Sequence, residues 1–117
     1  MPNTFVHIEI PCTDFEQAKI FYEGVFQWET RYMAEQDYML FETGGELNGG
    51  FYKSPEHVGR QGVVNYLKVD DLEKTLETIE RHGGKTIVPP KQVTETGWFA
   101  LFGDPDGNVL GLWKDAT

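Results

Sequence analysis

The chain has a single cysteine, Cys12, among its 117 residues, so an intrachain disulfide is excluded and a reducing compartment suits it. With no histidine motif beside it, Cys12 reads as a structural thiol. Positive charge is scarce: 10 Lys and Arg face 19 Asp and Glu, a formal net charge of −9. An acidic surface repels phosphate backbones, which argues against nucleic-acid binding and tolerates a cationic ligand. Long apolar runs are missing too. Val109–Trp113 is among the longest, far below the ~20 residues that cross a bilayer. Met1-Pro2-Asn3-Thr4 lacks the basic start and apolar stretch of a secretory signal. Neither a nucleotide-binding glycine loop nor a nucleophile triad is found. The expectation is a soluble cytoplasmic domain with no membrane or nucleic-acid partner.

What is present fits one folded domain over residues 1–117, with 39% hydrophobic and 25% charged residues. Aromatic residues, at 14%, are plentiful enough to imply a lined cavity or a subunit interface.

Comparing the chain with itself shows a repeat. Module one, residues 5–53, and module two, residues 63–114, are joined by a polar linker, 54–62, containing Pro55 and Gly59. Each opens on a strand, Val6–Ile10 or Val63–Val69, in which Asn65 interrupts the apolar alternation. Each then has a helix start: Thr13-Asp14-Phe15-Glu16 has the form of a capping box, and Asp70-Asp71-Leu72-Glu73 repeats it with aspartate as cap. Phe15, Ala18, Phe21, Tyr22 and Val25 form one helical stripe; Leu72, Thr75, Leu76 and Ile79 form the other. Gly83-Gly84 ends the second helix, and Gln27 takes the matching place in the first. Tyr38–Phe41 then matches Phe99–Phe102, and Gly50–Lys53 matches Gly111–Lys114. Asp104-Pro105-Asp106-Gly107-Asn108 is a hairpin turn. The pattern is βαβββ twice, an α+β fold.

Strand alternation sorts the faces. Val6, Ile8, Ile10, Leu67, Val69, Leu110 and Leu112 should face the helices. Phe5, His7, Glu9, Val64, Tyr66, Lys68, Gly111 and Trp113 should face away, with Gly50 and Tyr52 by repeat. That lining mixes charge, imidazole and rings, as a ligand cleft does. Tyr52, Tyr66, Trp98 and Trp113 are candidates for an aromatic wall, and the two glycines for room beside it.

These residues carry a resemblance. His7-Ile8-Glu9-Ile10-Pro11 before Asp14-Phe15, Val25-Phe26-Gln27-Trp28, Val69-Asp70-Asp71-Leu72, Gly97-Trp98-Phe99 and Asp104–Asn108 together resemble the vicinal oxygen chelate superfamily of glyoxalases, bleomycin-resistance proteins and extradiol dioxygenases. The resemblance covers essentially the whole chain. It implies two βαβββ modules forming a U-shaped cleft, commonly in a homodimer. It also implies up to four divalent-metal ligands on the first and last strands of each module. Here those positions are His7, Gly50, Val64 and Gly111, so His7 is the one ligand position retained and no cofactor is expected; a divalent metal would need a different site, with Glu9, Tyr52 or Tyr66 beside His7, and is disfavoured.

Three functions stay open. The first is a metal-independent small-molecule binder like the drug-sequestering branch of the superfamily. The second is a glyoxalase-like lyase, isomerase or epimerase acting on a small oxygenated metabolite through His7 and Glu9. The third is a non-catalytic interaction domain. Glyoxalase I and extradiol chemistry are disfavoured by the missing ligands. His57 and His82 are expected at the surface, and Lys68 is a possible ion-pair partner for Glu9.

Overall fold

The computed structural model describes residues 5–59, 62–93 and 95–116. Residues 60 and 61 of the expected linker, and residues 1–4, on which the expected lack of a leader rests, lie outside them. The chain divides into two compact units, Met1–Val58 and Gly59–Thr117.

The first unit runs β1 (Ile8–Cys12), α1 (Phe15–Phe26), β2 (Glu29–Met33), β3 (Tyr38–Glu42) and β4 (Gly49–Lys53). The second runs β5 (Tyr66–Lys68), α2 (Leu72–Arg81), β6 (Lys85–Val93), β7 (Gly97–Gly103) and β8 (Val109–Asp115). The sheets repeat one topology, β1-β4-β3-β2 and β5-β8-β7-β6. The parallel pair is β1 with β4, or β5 with β8, and the other pairings are antiparallel. The βαβββ repeat is therefore real.

Both helices begin one residue later than the capping-box reading placed them. Asp14 caps α1, accepting from the Glu16 N–H at 2.8 Å, and Asp71 caps α2, accepting from the Lys74 N–H at 2.9 Å. A carboxylate immediately before the first helical residue satisfies an orphan amide and meets the positive end of the helix dipole, which favours it over Thr13 or Asp70. Both helix ends behave as the repeat implies. Gly83 has φ 95° and the Gly84 N–H reaches the Ile79 carbonyl at 2.9 Å. Gln27 adopts φ 58° without being glycine, a strain of roughly 1 kcal/mol. Its side-chain amide partly offsets this by donating to the Val25 carbonyl at 3.2 Å.

Each helix buries its stripe on one face of its sheet. In module one the core is aromatic: Phe21, Tyr22, Trp28, Phe41 and Phe51 are buried, with Trp28 stacked on Tyr22 at 4.8 Å and on Phe41 at 4.4 Å. In module two Leu72, Leu76, Ile79, Ala100, Phe102, Leu110 and Leu112 do this. Much of the aromatic content is thus core, because a 12-residue helix over four short strands fills its layer best with large rings. Cys12 is buried in the same layer.

The first strands are shorter than expected. Phe5, Val6 and His7 precede β1, with Phe5 87% and Val6 80% exposed. Val63, Val64 and Asn65 precede β5. Asn65 contributes its backbone carbonyl, which accepts from the Gly111 N–H at 2.9 Å. The hairpin turn is held by Asp104, whose carboxylate accepts from the Asp106 and Asn108 amides and from the Asn108 side chain. Asn108 accepts in turn from the Gly59 N–H at 3.0 Å.

Candidate functional site

Each sheet has one face under its helix and one open face, and the open faces carry the candidate residues. In the first sheet Glu9 lies beside Gly50, Leu40 pairs with Gly50, and Tyr38 pairs with Tyr52. In the second Tyr66 lies beside Gly111, Leu101 pairs with Gly111, and Phe99 pairs with Trp113. Across the first, third and fourth strands of each module the registers superimpose residue for residue. Glu9, Tyr38 and Tyr52 of module one therefore take the places of Tyr66, Phe99 and Trp113 of module two. One scaffold presents a polar set in one copy and an aromatic set in the other.

In module one, Tyr38 joins His7 to Glu9. Its hydroxyl lies 2.7 Å from His7 Nε2 and donates to Glu9 Oε2 at 3.0 Å. The imidazole and phenol rings lie nearly parallel, 6.2 Å apart and tilted by 21°. Burial, followed by the Glu9 hydrogen bond and charge, pushes the Tyr38 phenol up to about 12, so it remains a proton donor across the neutral range. Tyr52 is half-buried, 6.3 Å from the His57 ring, and His57 is hydrogen-bonded to the Ser54 hydroxyl.

In module two, Tyr66, Val93, Phe99 and Trp113 line a hollow of about 390 Å³. The Trp113 indole N–H donates to Asp115 at 2.7 Å, and Asp115 pairs with Lys68 at 2.7 Å. Lys68 first, then the indole, holds the Asp115 carboxyl below its usual range, while Asp115 raises the Lys68 ammonium. The chain Lys68–Asp115–Trp113 thus fixes the indole at the edge of the hollow. Lys68 pairs with Asp115, and Glu9 takes its hydrogen bond from Tyr38.

Several expected cleft residues are placed otherwise. Trp98 alternates with Phe99 and shares parity with the buried Ala100 and Phe102, so it lies on the helix-side face of the second sheet. Phe5 and Val64 lie outside the strands. The glycines do not make room for a ligand. A Cβ on Gly50 would collide with the Tyr38 ring, and a Cβ on Gly111 with the Tyr66 ring. Each glycine is the floor on which a neighbouring tyrosine lies. Gly111→Ala is therefore expected to cost about 1–2 kcal/mol by overpacking, and much less in a Tyr66→Ala background. Chemical unfolding of the four proteins of that cycle measures the coupling, and additive losses would show that the ring is not what the methyl meets.

The same geometry bears on the metal that the resemblance implies. Of the four ligand positions, two are glycines covered by rings and one is a valine; only His7 carries a donor atom. Among the described residues no group of three or more His, Cys, Asp or Glu is arranged to hold an ion. The donor set does not fit a catalytic divalent metal, which needs about three protein ligands.

Sequence reasoning missed Tyr38, Phe99, Val93 and Asp115. Tyr38-Met39-Leu40-Phe41 and Trp98–Phe102 are apolar at nearly every position, so alternation gives no face there. The repeat held the usable signal, since it aligned Tyr38 with Phe99 and Gly50 with Gly111. His82, expected at the surface, is half-buried and its Nδ1 lies 2.8 Å from the Thr78 carbonyl.

Residues 4–112 match the family described as the Glyoxalase/Bleomycin resistance protein/Dioxygenase superfamily. A "Glyoxylase-like domain-containing protein" of Didymella fabae is 31% identical over 121 residues, covering 90% of this chain and 88% of its own length. The "Anthracycline biosynthesis protein DnrV" of Streptomyces peucetius is 24% identical over 130 residues; the alignment takes in 97% of this chain but 47% of that protein, so the chain spans about half its length. In structure, the genomically encoded fosfomycin resistance protein FosX from Listeria monocytogenes superimposes with a TM-score of 0.82 at 18% identity, over 97% of this chain and 92% of that one. That likeness concerns the fold. By topology, repeat and family match together, this chain belongs to the glyoxalase/bleomycin resistance protein/dioxygenase superfamily.

Proposed function

We propose that this protein is a metal-independent binder of small organic molecules, and that the open face of module two takes a flat aromatic ligand. The observation that carries the reading is the hollow of about 390 Å³ among Tyr66, Val93, Phe99 and Trp113. Its size and apolar lining, with few polar groups at the edge, are those of small-molecule sites. Trp113 is held in place by Asp115, so its ring is ordered before a ligand arrives, which lowers the entropic cost of binding. The formal charge of −9 favours ligands that are also cationic. The anthracycline biosynthesis relative, named for a pathway to polycyclic aromatic compounds, is consistent with this ligand class.

The test is a thermal-shift screen of neutral anthraquinones and cationic aminoacridines, followed by calorimetric titration of the best compound. Phe99→Ala and Trp113→Ala are each expected to weaken binding roughly tenfold, the ~1.4 kcal/mol that one truncated aromatic contact costs. Trp98→Ala, on the opposite face, is expected to leave affinity unchanged. No stabilisation by any compound, or equal losses for all three variants, would overturn the reading.

A second reading is supported by the His7–Tyr38–Glu9 chain: acid–base chemistry on a small oxygenated metabolite, as a lyase, isomerase or epimerase. Homodimer formation, cytoplasmic residence and a linker at 54–62 belong to the same proposal. Among the described residues no helix is long and apolar enough to cross a membrane.

A further inference from the structure

We infer that Tyr38 is a positioning residue that holds His7 in its Nε2–H form and leaves Nδ1 as the proton-accepting atom of module one. The inference rests on the acid–base reading of that face and is independent of the hollow in module two. It follows from counting protons. A phenol has one hydrogen and two neighbours here, Glu9 Oε2 at 3.0 Å and His7 Nε2 at 2.7 Å. If the hydrogen pointed at His7, the Tyr38 oxygen would set its lone pairs against an ionised carboxylate. Pointed at Glu9, it makes a charge-assisted hydrogen bond, the stronger kind. The Tyr38 oxygen can then only accept from His7, so Nε2 carries the hydrogen and the neutral ring is bare at Nδ1.

His7 is exposed, and among the described residues its Nδ1 has no hydrogen-bond partner. A proton taken from a substrate at Nδ1 leaves an imidazolium whose charge faces Glu9 through the phenol. No proton need move along the chain, since the carboxylate stabilises the cation where it forms. The other charged groups sharing this sheet face by strand alternation are Glu29 and Arg31 of β2 and Glu42 of β3. His82 supplies an internal standard of opposite sense: a carbonyl can only accept, so its Nδ1, 2.8 Å from the Thr78 oxygen, must carry the hydrogen.

The test is long-range ¹H–¹⁵N correlation on ¹⁵N-histidine-labelled full chain, about two units above the ordinary imidazole value of ~6.5. Expected are opposite patterns for His7 (bare Nδ1) and His82 (bare Nε2). In Tyr38→Phe the ratio of Nε2–H to Nδ1–H forms at His7 should fall roughly tenfold, towards that of a solvated ring, with His82 unmoved. Glu9→Ala, an exposed substitution that removes the acceptor altogether, should move His7 in the same direction and decides the matter if Tyr38→Phe does not fold. A bare Nε2 at His7 in the unmutated protein, or a ratio unmoved in Glu9→Ala, would overturn the inference. No turnover is needed for this measurement, so its failure and a failure of the acid–base reading are separate results.

Discussion

Replacing Phe51 by alanine is expected to cost about 3–5 kcal/mol, the range for emptying the volume of a large core side chain. Phe51 is fully buried at the centre of β4. Its ring meets Tyr22 at 5.2 Å, Phe41 at 5.0 Å and Trp28 at 6.4 Å. Those rings are fixed by one another, Trp28 lying between Tyr22 and Phe41, so they cannot easily collapse into the gap. Flanking Gly50 and Tyr52 belong to the open face, and loss of Phe51 should therefore loosen the floor beneath Tyr38 as well. Urea unfolding at constant slope measures the loss. Phe51→Leu, which leaves a smaller void, should cost less. A cost below about 1 kcal/mol for the alanine variant would mean that the aromatic layer is not the core of module one.

Gly49→Ala is expected to cost about 3 kcal/mol, the upper part of the usual overpacking range. A Cβ at this position would run into the Ile8 carbonyl oxygen and stand 2.8 Å from Phe41 Cζ. The first obstacle is backbone of the adjacent parallel strand, where Ile8 pairs with Gly49. A side-chain tip could swing aside, but a strand can yield only by breaking the β1–β4 ladder. Gly45→Ala is the control, since its Cβ would meet nothing closer than Thr43 Oγ1 at 3.6 Å. Because β1 carries Glu9 and is entered from His7, Gly49→Ala should also disturb the His7–Tyr38–Glu9 chain, visible as a shift of the Tyr38 phenol. Native-like stability in both glycine variants would show that the β1–β4 spacing is wider than described.

The two helices were legible because each stripe repeats at three and four residues and each ends in a recognisable cap. Even the one-residue error at both N-termini was the same error, since Thr13-Asp14 and Asp70-Asp71 each offer two capping side chains and only geometry chooses between them. The open-face strands were legible where polarity alternates, as in His7-Ile8-Glu9-Ile10. They were not legible where every residue is apolar, and so Trp98 was placed with the cleft while Phe99 was overlooked. Glycine misled in a specific way. Its missing side chain signals space at Gly50 and Gly111, yet says nothing about which neighbour fills that space.

By itself the sequence determined the repeat, the βαβββ order, most of the helix-facing residues (Val6 and Trp98 excepted) and the superfamily, since these rest on local periodicity and on one half of the chain agreeing with the other. It also shows no donor atom at Gly50, Val64 and Gly111, three of the four positions where the resemblance implies metal ligands. Tertiary structure alone decided that Tyr38 lies across Gly50 to join His7 with Glu9, that Tyr66 lies across Gly111, and that Asp115 holds Trp113 and Lys68. Those pairings depend on strand register and rotamer, which bring together residues far apart in the chain, such as Glu9 with Tyr38 and Lys68 with Asp115. No pattern within a single strand encodes that choice, because a register shift of one residue would reverse every face while leaving the local sequence unchanged.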